Sequence, residues 1–166
     1  APSLSNNEDA IECILESIEN AGFHSGKDVS ICLDVAANEL FKAKKYAVGS
    51  SKFISAQETI NYYLDLIKKY PIKSIEDPFS EDDWFAWSEF TKLSNNSIQI
   101  VGDDLFVTNK KRLLNGVGKK AANSILIKPN QIGTVTETIE VIRLAHQNDY
   151  KTIISHRSGD TEDTFI

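Results

Sequence analysis

The chain has 166 residues, a formal net charge of -6, and 41% hydrophobic and 25% charged residues. That is room for one domain with a sizeable core, and so ordinary a balance excludes a disordered, collagen-like or coiled-coil chain. The longest basic run is Lys110-Lys111-Arg112 and no apolar run approaches the roughly 18 residues of a membrane span, so neither a nucleic-acid surface nor a membrane segment is expected.

In chain order, polar Ser3 to Asn7 offers N-cap residues. Ile11, Ile14, Leu15, Ile18 and Ala21 then recur at helical spacing and predict a helix over Glu8 to Gly22. Lys27 to Asp34 reads as a strand, with Val29, Ile31 and Leu33 alternating against Ser30, Cys32 and Asp34. Val35 to Lys52 reads as a long loop or short hairpin. Ser55, with Glu58 three residues on, predicts a capping box for a helix with Ile60, Tyr63, Leu64 and Ile67 inward, ended by Pro71. Ile72 to Asp77 is the second strand. Asp83 to Leu93 is a helix holding Trp84 and Trp87 as core, and Glu81-Asp82-Asp83 is its solvated start. Ile98 to Gly102 is the third strand, and Thr108-Asn109 caps a helix over Lys110 to Gly118. Asn123 to Lys128 is the fourth strand. Thr134 to Gln147 is a helix with Val135, Ile139, Ile142 and Ala145 inward, Thr152 to His156 is the fifth strand, and a polar loop follows. Cys13 and Cys32 fall on different elements without metal-ligand spacing and are read as buried free thiols of a reducing compartment.

Strands alternating with helices predict a parallel α/β sheet. The five strands end at Asp34, Glu76, Asp103, Lys128 and His156. Any one strand-end acid is more often a turn or cap residue, and a lone lysine there more often snorkels to the surface. Five successive strands that all end in an ionisable residue point instead to one shared site. Side chains alternate along a strand, so the set ending in each tip (Ser30, Cys32, Asp34; Ser74, Glu76; Gln99, Val101, Asp103; Ser124, Leu126, Lys128; Thr152, Ile154, His156) should share a face. In a (β/α)8 barrel that face is the interior, and the tips converge at the carboxyl end where such folds place their sites.

Asp34, Glu76 and Asp103 would repel one another unless a cation lay between them. An all-oxygen set suits Mg²⁺ or Mn²⁺ and not Zn²⁺. Lys128 on the next strand would sit beside that charge, which disfavours its ammonium and suits a general base. His156, Arg157 and Ser158 offer a guanidinium fork and a hydroxyl for a phosphate or carboxylate. Together these describe proton abstraction next to a carboxylate, with a cation offsetting the charge of the enediolate. Asp77 and Asp104 are read as caps or as partners of the ligands.

These residues carry a resemblance that runs over essentially the whole chain. Leu33–Phe41, Ser74–Phe79 (Ser-Ile-Glu-Asp-Pro-Phe), Val101–Asn109, Leu126–Gly133 and Ser155–Asp163 resemble, in order, the motifs of the enolase family. The resemblance implies that residues 1–166 are part of an enolase-like barrel domain, an incomplete (β/α)8 barrel with about five βα units. It implies Mg²⁺ on Asp34, Glu76 and Asp103, and Lys128 as the base that takes the carbon-2 proton of 2-phosphoglycerate. By the same resemblance Arg157 and Ser158 hold the phosphate and a second Mg²⁺, and His156 lines the pocket. It implies a cytoplasmic, homo-oligomeric parent enzyme that interconverts 2-phosphoglycerate and phosphoenolpyruvate. Val35, Asn38 and Asp160 depart mildly from the family pattern and change no charged role.

The chain has no Met, even at position 1, and starts at Ala1-Pro2-Ser3. The expectation is a piece of a longer protein, inactive alone because the family's general-acid glutamates, a further histidine and a second active-site lysine have no counterpart here. Two other classes fit the acidic tips less well. One is a Mg²⁺-dependent phosphotransfer domain on a doubly wound sheet. The other is a non-catalytic interaction piece with open sheet edges.

Overall fold

Two β-systems divide the work: a parallel sheet that carries the strand tips, and a small antiparallel sheet that braces one loop beside them. The computed structural model describes residues 4, 6–49, 52–155 and 165–166. The chain runs α1 (Asn7–Asn20), β1 (Ile31–Asp34), a one-turn α2 (Ala37–Leu40), then β2 (Phe41–Lys42), β3 (Lys45–Val48) and β4 (Lys52–Ile54). It continues through α3 (Ala56–Lys69), β5 (Ile72–Glu76), α4 (Trp84–Ser94), β6 (Gln99–Gly102) and α5 (Lys110–Lys119). β7 (Ser124–Ile127), the short α6 (Pro129–Ile132), α7 (Val135–Gln147) and β8 (Lys151–Ile154) complete it.

The parallel strands lie in the order β1-β5-β6-β7-β8, each beside its predecessor in that series. A doubly wound sheet reverses its strand order at a switch point; this one does not. Every crossover therefore adds its helix to the same face, which is the winding of a barrel wall. Among the described residues five parallel strands of an α/β barrel are present, four of them followed by a helix, and the barrel is incomplete. Ile75, Ile100, Ile125 and Ile127 are fully buried in one cluster with Tyr63 of α3, Trp87 and Phe90 of α4, Leu113 of α5 and Val141 of α7. Ser74, Val101, Ser124 and Leu126 are also buried but stand outside that cluster, on the opposite face.

The register bears out the expected alternation for four strands. Asp34 lies beside Glu76, Glu76 beside Val101, and Val101 beside Ser124. It fails at β8. Ile125 pairs with Thr152 and Ile127 with Ile154, so Thr152 and Ile154 share the helix-side face. The Thr152 hydroxyl lies 3.1 Å from Nε2 of His146 on α7, which settles the side. Lys151 and Ile153 take the inner positions; a polar Thr and a β-branched Ile suit either face, so alternation alone could not choose.

Other boundaries shift for local reasons. β1 begins only at Ile31, because the chain first closes a turn in which the Asp28 carboxylate accepts the His24 N–H at 2.8 Å and Ser25 bridges Val29. Val35 to Lys52 is more than a hairpin: one helical turn leads into the three-stranded antiparallel sheet β2-β3-β4. The capping box at Ser55 forms as expected. In α1 only Ile11 is buried, and Ile14 is exposed. That helix is held by polar contacts as well: Tyr62 donates to Glu8 at 3.2 Å and Tyr70 to Glu12 at 2.6 Å. In α7 the buried face is Thr138, Val141 and Ala145, while Val135 in the first turn is exposed. Cys13 and Cys32 are free thiols, as expected, but both are exposed.

Beneath the strand tips lies an aromatic core. Phe79 packs edge-on against Tyr46, Tyr63, Trp87 and Phe90 with centroids 5.6–6.2 Å apart. Fully buried Phe106 fills the space beside β6. A Cβ on Gly102 would lie 2.6 Å from its ring and one on Gly116 2.4 Å from it, so both positions require glycine. That close approach fixes the chain one residue before Asp103. No helix among the described residues is long and apolar enough to cross a membrane.

Candidate active site at the strand tips

Asp34, Glu76, Asp103 and Lys128 sit at the carboxyl ends of the adjacent strands β1, β5, β6 and β7. Strand pairing sets Asp34 directly beside Glu76. Glu76 is half-buried, and burial first, then the charges of Asp34, Asp103 and Asp77, push its carboxyl up from 4.5 to about 7; only Lys128 opposes them. The Lys128 ammonium is bonded to Oδ2 of Asp103, and both side chains are nearly enclosed. His156, Arg157 and Ser158 lie outside the described residues.

The tightest acidic group among the described residues is not the expected triad. Asp77, Asp103 and Asp104 each bring one carboxylate oxygen within 4.8 Å of the others. Asp77 has φ 41°, a left-handed conformation that Asp tolerates better than most residues, and it turns the chain sharply before Pro78. Its buried carboxylate accepts the N–H of Asp103 at 3.0 Å and of Asp104 at 2.9 Å. Burial first, then the neighbouring charges of Asp104 and Asp103, raise its carboxyl to about 7, although those two N–H groups work the other way. With both oxygens so occupied, Asp77 is placed to hold the β6 loop. Asp104 turns aside and accepts from Nδ2 of Asn38 at 3.0 Å.

Several residues that the sequence reading passed over assemble the rim. Asn38 also accepts the N–H of Glu81 at 2.9 Å, tying the loop after β1 to the loop after β5. The Tyr46 hydroxyl donates to Asp83 at 2.8 Å and accepts from the Ser80 N–H at 3.1 Å, so the antiparallel sheet braces the same loop. Arg112 donates to the carbonyls of Leu105 and Glu81 at 2.5 and 2.6 Å and lies over the Trp84 ring. No sequence spacing flags these contacts, since each joins residues brought together only by the fold.

The family model described as "Enolase, C-terminal TIM barrel domain" matches residues 1–166. The chain belongs to the enolase family. It is 61% identical, over all 166 of its residues, to a protein named "Enolase" from Pelagibacter ubique (strain HTCC1062). It spans about 40% of that enolase's length.

Within this enolase-family chain the fit to a divalent cation can be tested on the carboxylates themselves. Two acids are held well above their ordinary range by burial and by like charge, the acidic cluster offers carboxylate oxygens, and among the described residues the cation against it is the Lys128 ammonium on Asp103. Such a group accepts a hard cation readily. It follows that the cluster is costly when ionised and empty of a counter-charge. Glu76 and Asp77 have folded values raised above their unfolded ones, so their contribution is full below about pH 4 and is lost as pH rises through about 7. The expected result is an unfolding midpoint that declines between pH 5 and 8 in chelator, with a smaller decline in Glu76→Gln. Thermal unfolding across that range checks it, and added Mg²⁺ should raise the midpoint more at pH 8 than at pH 5.

Proposed function

We propose that this chain supplies the metal-binding and proton-abstracting part of an enolase that interconverts 2-phosphoglycerate and phosphoenolpyruvate, a carbon–oxygen lyase reaction of glycolysis in the cytoplasm. The observation that carries the reading is the meeting of Asp34, Glu76, Asp103 and Lys128 on four neighbouring strand ends in a chain of this family. Residues 1–166 are taken as part of the barrel domain, with the rest of a longer, homo-oligomeric protein completing the barrel.

In this reading Asp34, Glu76 and Asp103 hold Mg²⁺, which when bound offsets the negative charge that grows on the substrate carboxylate. Lys128 takes the proton from carbon 2. Its contact with Asp103 places its nitrogen at the edge of the acidic group, beside the proposed cation site. Arg157 and Ser158 bind the phosphate, and His156 lines the pocket. The 166-residue chain alone is inactive, because expulsion of the hydroxide needs an acid from elsewhere in the longer protein.

The test is phosphoenolpyruvate formation from 2-phosphoglycerate by the full-length protein, followed by ultraviolet absorbance after chelation and Mg²⁺ titration. Turnover that disappears in chelator and returns saturably with Mg²⁺ supports the reading. Turnover that persists without a divalent cation, or phosphoenolpyruvate formation by the 166-residue chain alone, overturns the corresponding part of it.

A further inference from the structure

Thr108 looks in the sequence like half of a helix cap. Asn109 is the residue that caps α5, accepting the N–H groups of Lys111 and Arg112 with its side chain. Thr108 is fully buried and faces elsewhere. Its hydroxyl accepts the backbone N–H of Lys128 at 2.9 Å and donates to Oε1 of Gln131 at 2.6 Å. Gln131 in turn donates from Nε2 to Oδ1 of Asp103 at 3.2 Å. The other oxygen of Asp103 receives the Lys128 ammonium. The bonds form a closed ring: Lys128 backbone, Thr108, Gln131, Asp103, Lys128 side chain.

Each bond in the ring has its direction fixed by chemistry. Asp103 can only accept when ionised, so Gln131 must turn its NH₂ toward it and its carbonyl oxygen toward Thr108. That oxygen needs a donor, so the Thr108 hydroxyl gives its proton to Gln131 and keeps its lone pairs for the Lys128 N–H. A valine at 108 would fill the space and break two bonds at once.

The backbone here is also strained. Val107 has φ 44° and Thr108 φ 51°, a left-handed conformation that β-branched residues rarely adopt. Two such residues in succession are held by the surrounding bonds: Val107 donates to the Asp103 carbonyl at 2.7 Å, and Asn109 to that of Phe106 at 2.8 Å. This tight turn after β6 is what brings the Thr108 hydroxyl to the end of β7.

We propose that Thr108 and Gln131 are positioning residues. They lock the base Lys128 and the carboxylate Asp103 in one relative geometry, so that the base and the cation site act on a single substrate pose. The inference rests on the roles proposed above for Asp103 and Lys128. Neither Thr108 nor Gln131 is taken to touch substrate. Removing one therefore leaves binding of the phosphate intact and loosens the reacting groups. Loosening partners of this kind lowers activity or metal affinity by about 10- to 100-fold.

The experiment uses the full-length protein and compares Thr108→Val, Thr108→Ser and Gln131→Leu with the parent and with Lys128→Ala. The expected result is kcat lowered about 10- to 100-fold in Thr108→Val and Gln131→Leu, with KM for 2-phosphoglycerate within about twofold. Thr108→Ser, which keeps the hydroxyl, should recover most of kcat. Calorimetric Mg²⁺ binding without substrate should weaken in Gln131→Leu, a readout independent of turnover. Two outcomes overturn the inference: unchanged kcat and Mg²⁺ affinity in Thr108→Val and Gln131→Leu while Lys128→Ala is inactive, or a Thr108→Ser variant as impaired as Thr108→Val although both fold. Failure of the underlying reading looks different: Lys128→Ala then keeps parental activity.

Discussion

Replacing Lys128 by alanine in the full-length protein is expected to lower phosphoenolpyruvate formation by about 10²- to 10⁴-fold, the contribution typical of a general base. Loss of rate alone would not identify the step, since Lys128 also neutralises Asp103. The deciding measurement is exchange of the carbon-2 hydrogen of 2-phosphoglycerate with deuterated water, followed by NMR. A base variant loses exchange and turnover together. A variant that has lost only the acid for hydroxide expulsion keeps exchange and loses turnover. Lys128→Arg keeps the charge beside Asp103 but replaces the amine with a group that does not deprotonate at neutral pH. It should therefore fold better than Lys128→Ala while exchanging no faster, and its fixed charge on Asp103 should weaken Mg²⁺ binding relative to Lys128→Ala. Exchange at the parental rate in either variant would remove Lys128 from the mechanism.

How much of this was legible in the sequence depends on the kind of signal. The strand ends were, because ionisable residues closing β-branched runs survive as a pattern whatever the tertiary detail. Asp34, Glu76, Asp103 and Lys128 do end four successive neighbours in one parallel sheet. The capping box at Ser55 was legible for the same reason: its bonds join residues three apart. The β8 parity was not, since Thr152, Ile153 and Ile154 alternate in no decisive polarity and register decides by pairing. Asn38, Arg112 and Gln131 were invisible as site-builders because the contacts that join them to other loops, to Asp104, Glu81 and Thr108, span 23 to 66 residues. Thr108 was misplaced outright. Next to Asn109 a threonine reads as a cap, and only the left-handed turn at Val107 and Thr108 sends its hydroxyl to Lys128. The insertion after β1 shows in the sequence only as a loop or hairpin because its strands are two to four residues long. Its purpose is in Tyr46, whose hydroxyl pins the loop after β5.

Asp77→Ala is expected to be the most damaging change at a residue that holds neither cation nor substrate in the proposed reading. Its carboxylate satisfies two backbone N–H groups in a site almost closed to water. Leaving each without an acceptor costs about 1–3 kcal/mol, and alanine tolerates the left-handed turn at φ 41° less well than aspartate does. An opposing effect is the relief of repulsion from Asp103 and Asp104, which grows as Asp77 ionises. Because its folded value is raised to about 7, the protonated side chain is favoured by folding at low pH and that advantage fades as pH rises through 7. The loss of stability should therefore be larger at pH 5 than at pH 8 when no divalent cation is present. Denaturant unfolding at both values checks the sign. Asp77→Asn keeps the turn and one acceptor but turns an NH₂ toward the second N–H, so it should fall between alanine and the parent. Asp104→Ala removes only the partner of Asn38, outside the turn. It should cost about 1 kcal/mol or less, as the loss of one partly exposed hydrogen bond does. If Asp104→Ala proved as costly as Asp77→Ala, the loop after β6 would be held by its own acid and not by the turn after β5. The route by which Glu76-Asp77-Pro78 places Asp103 would then be wrong.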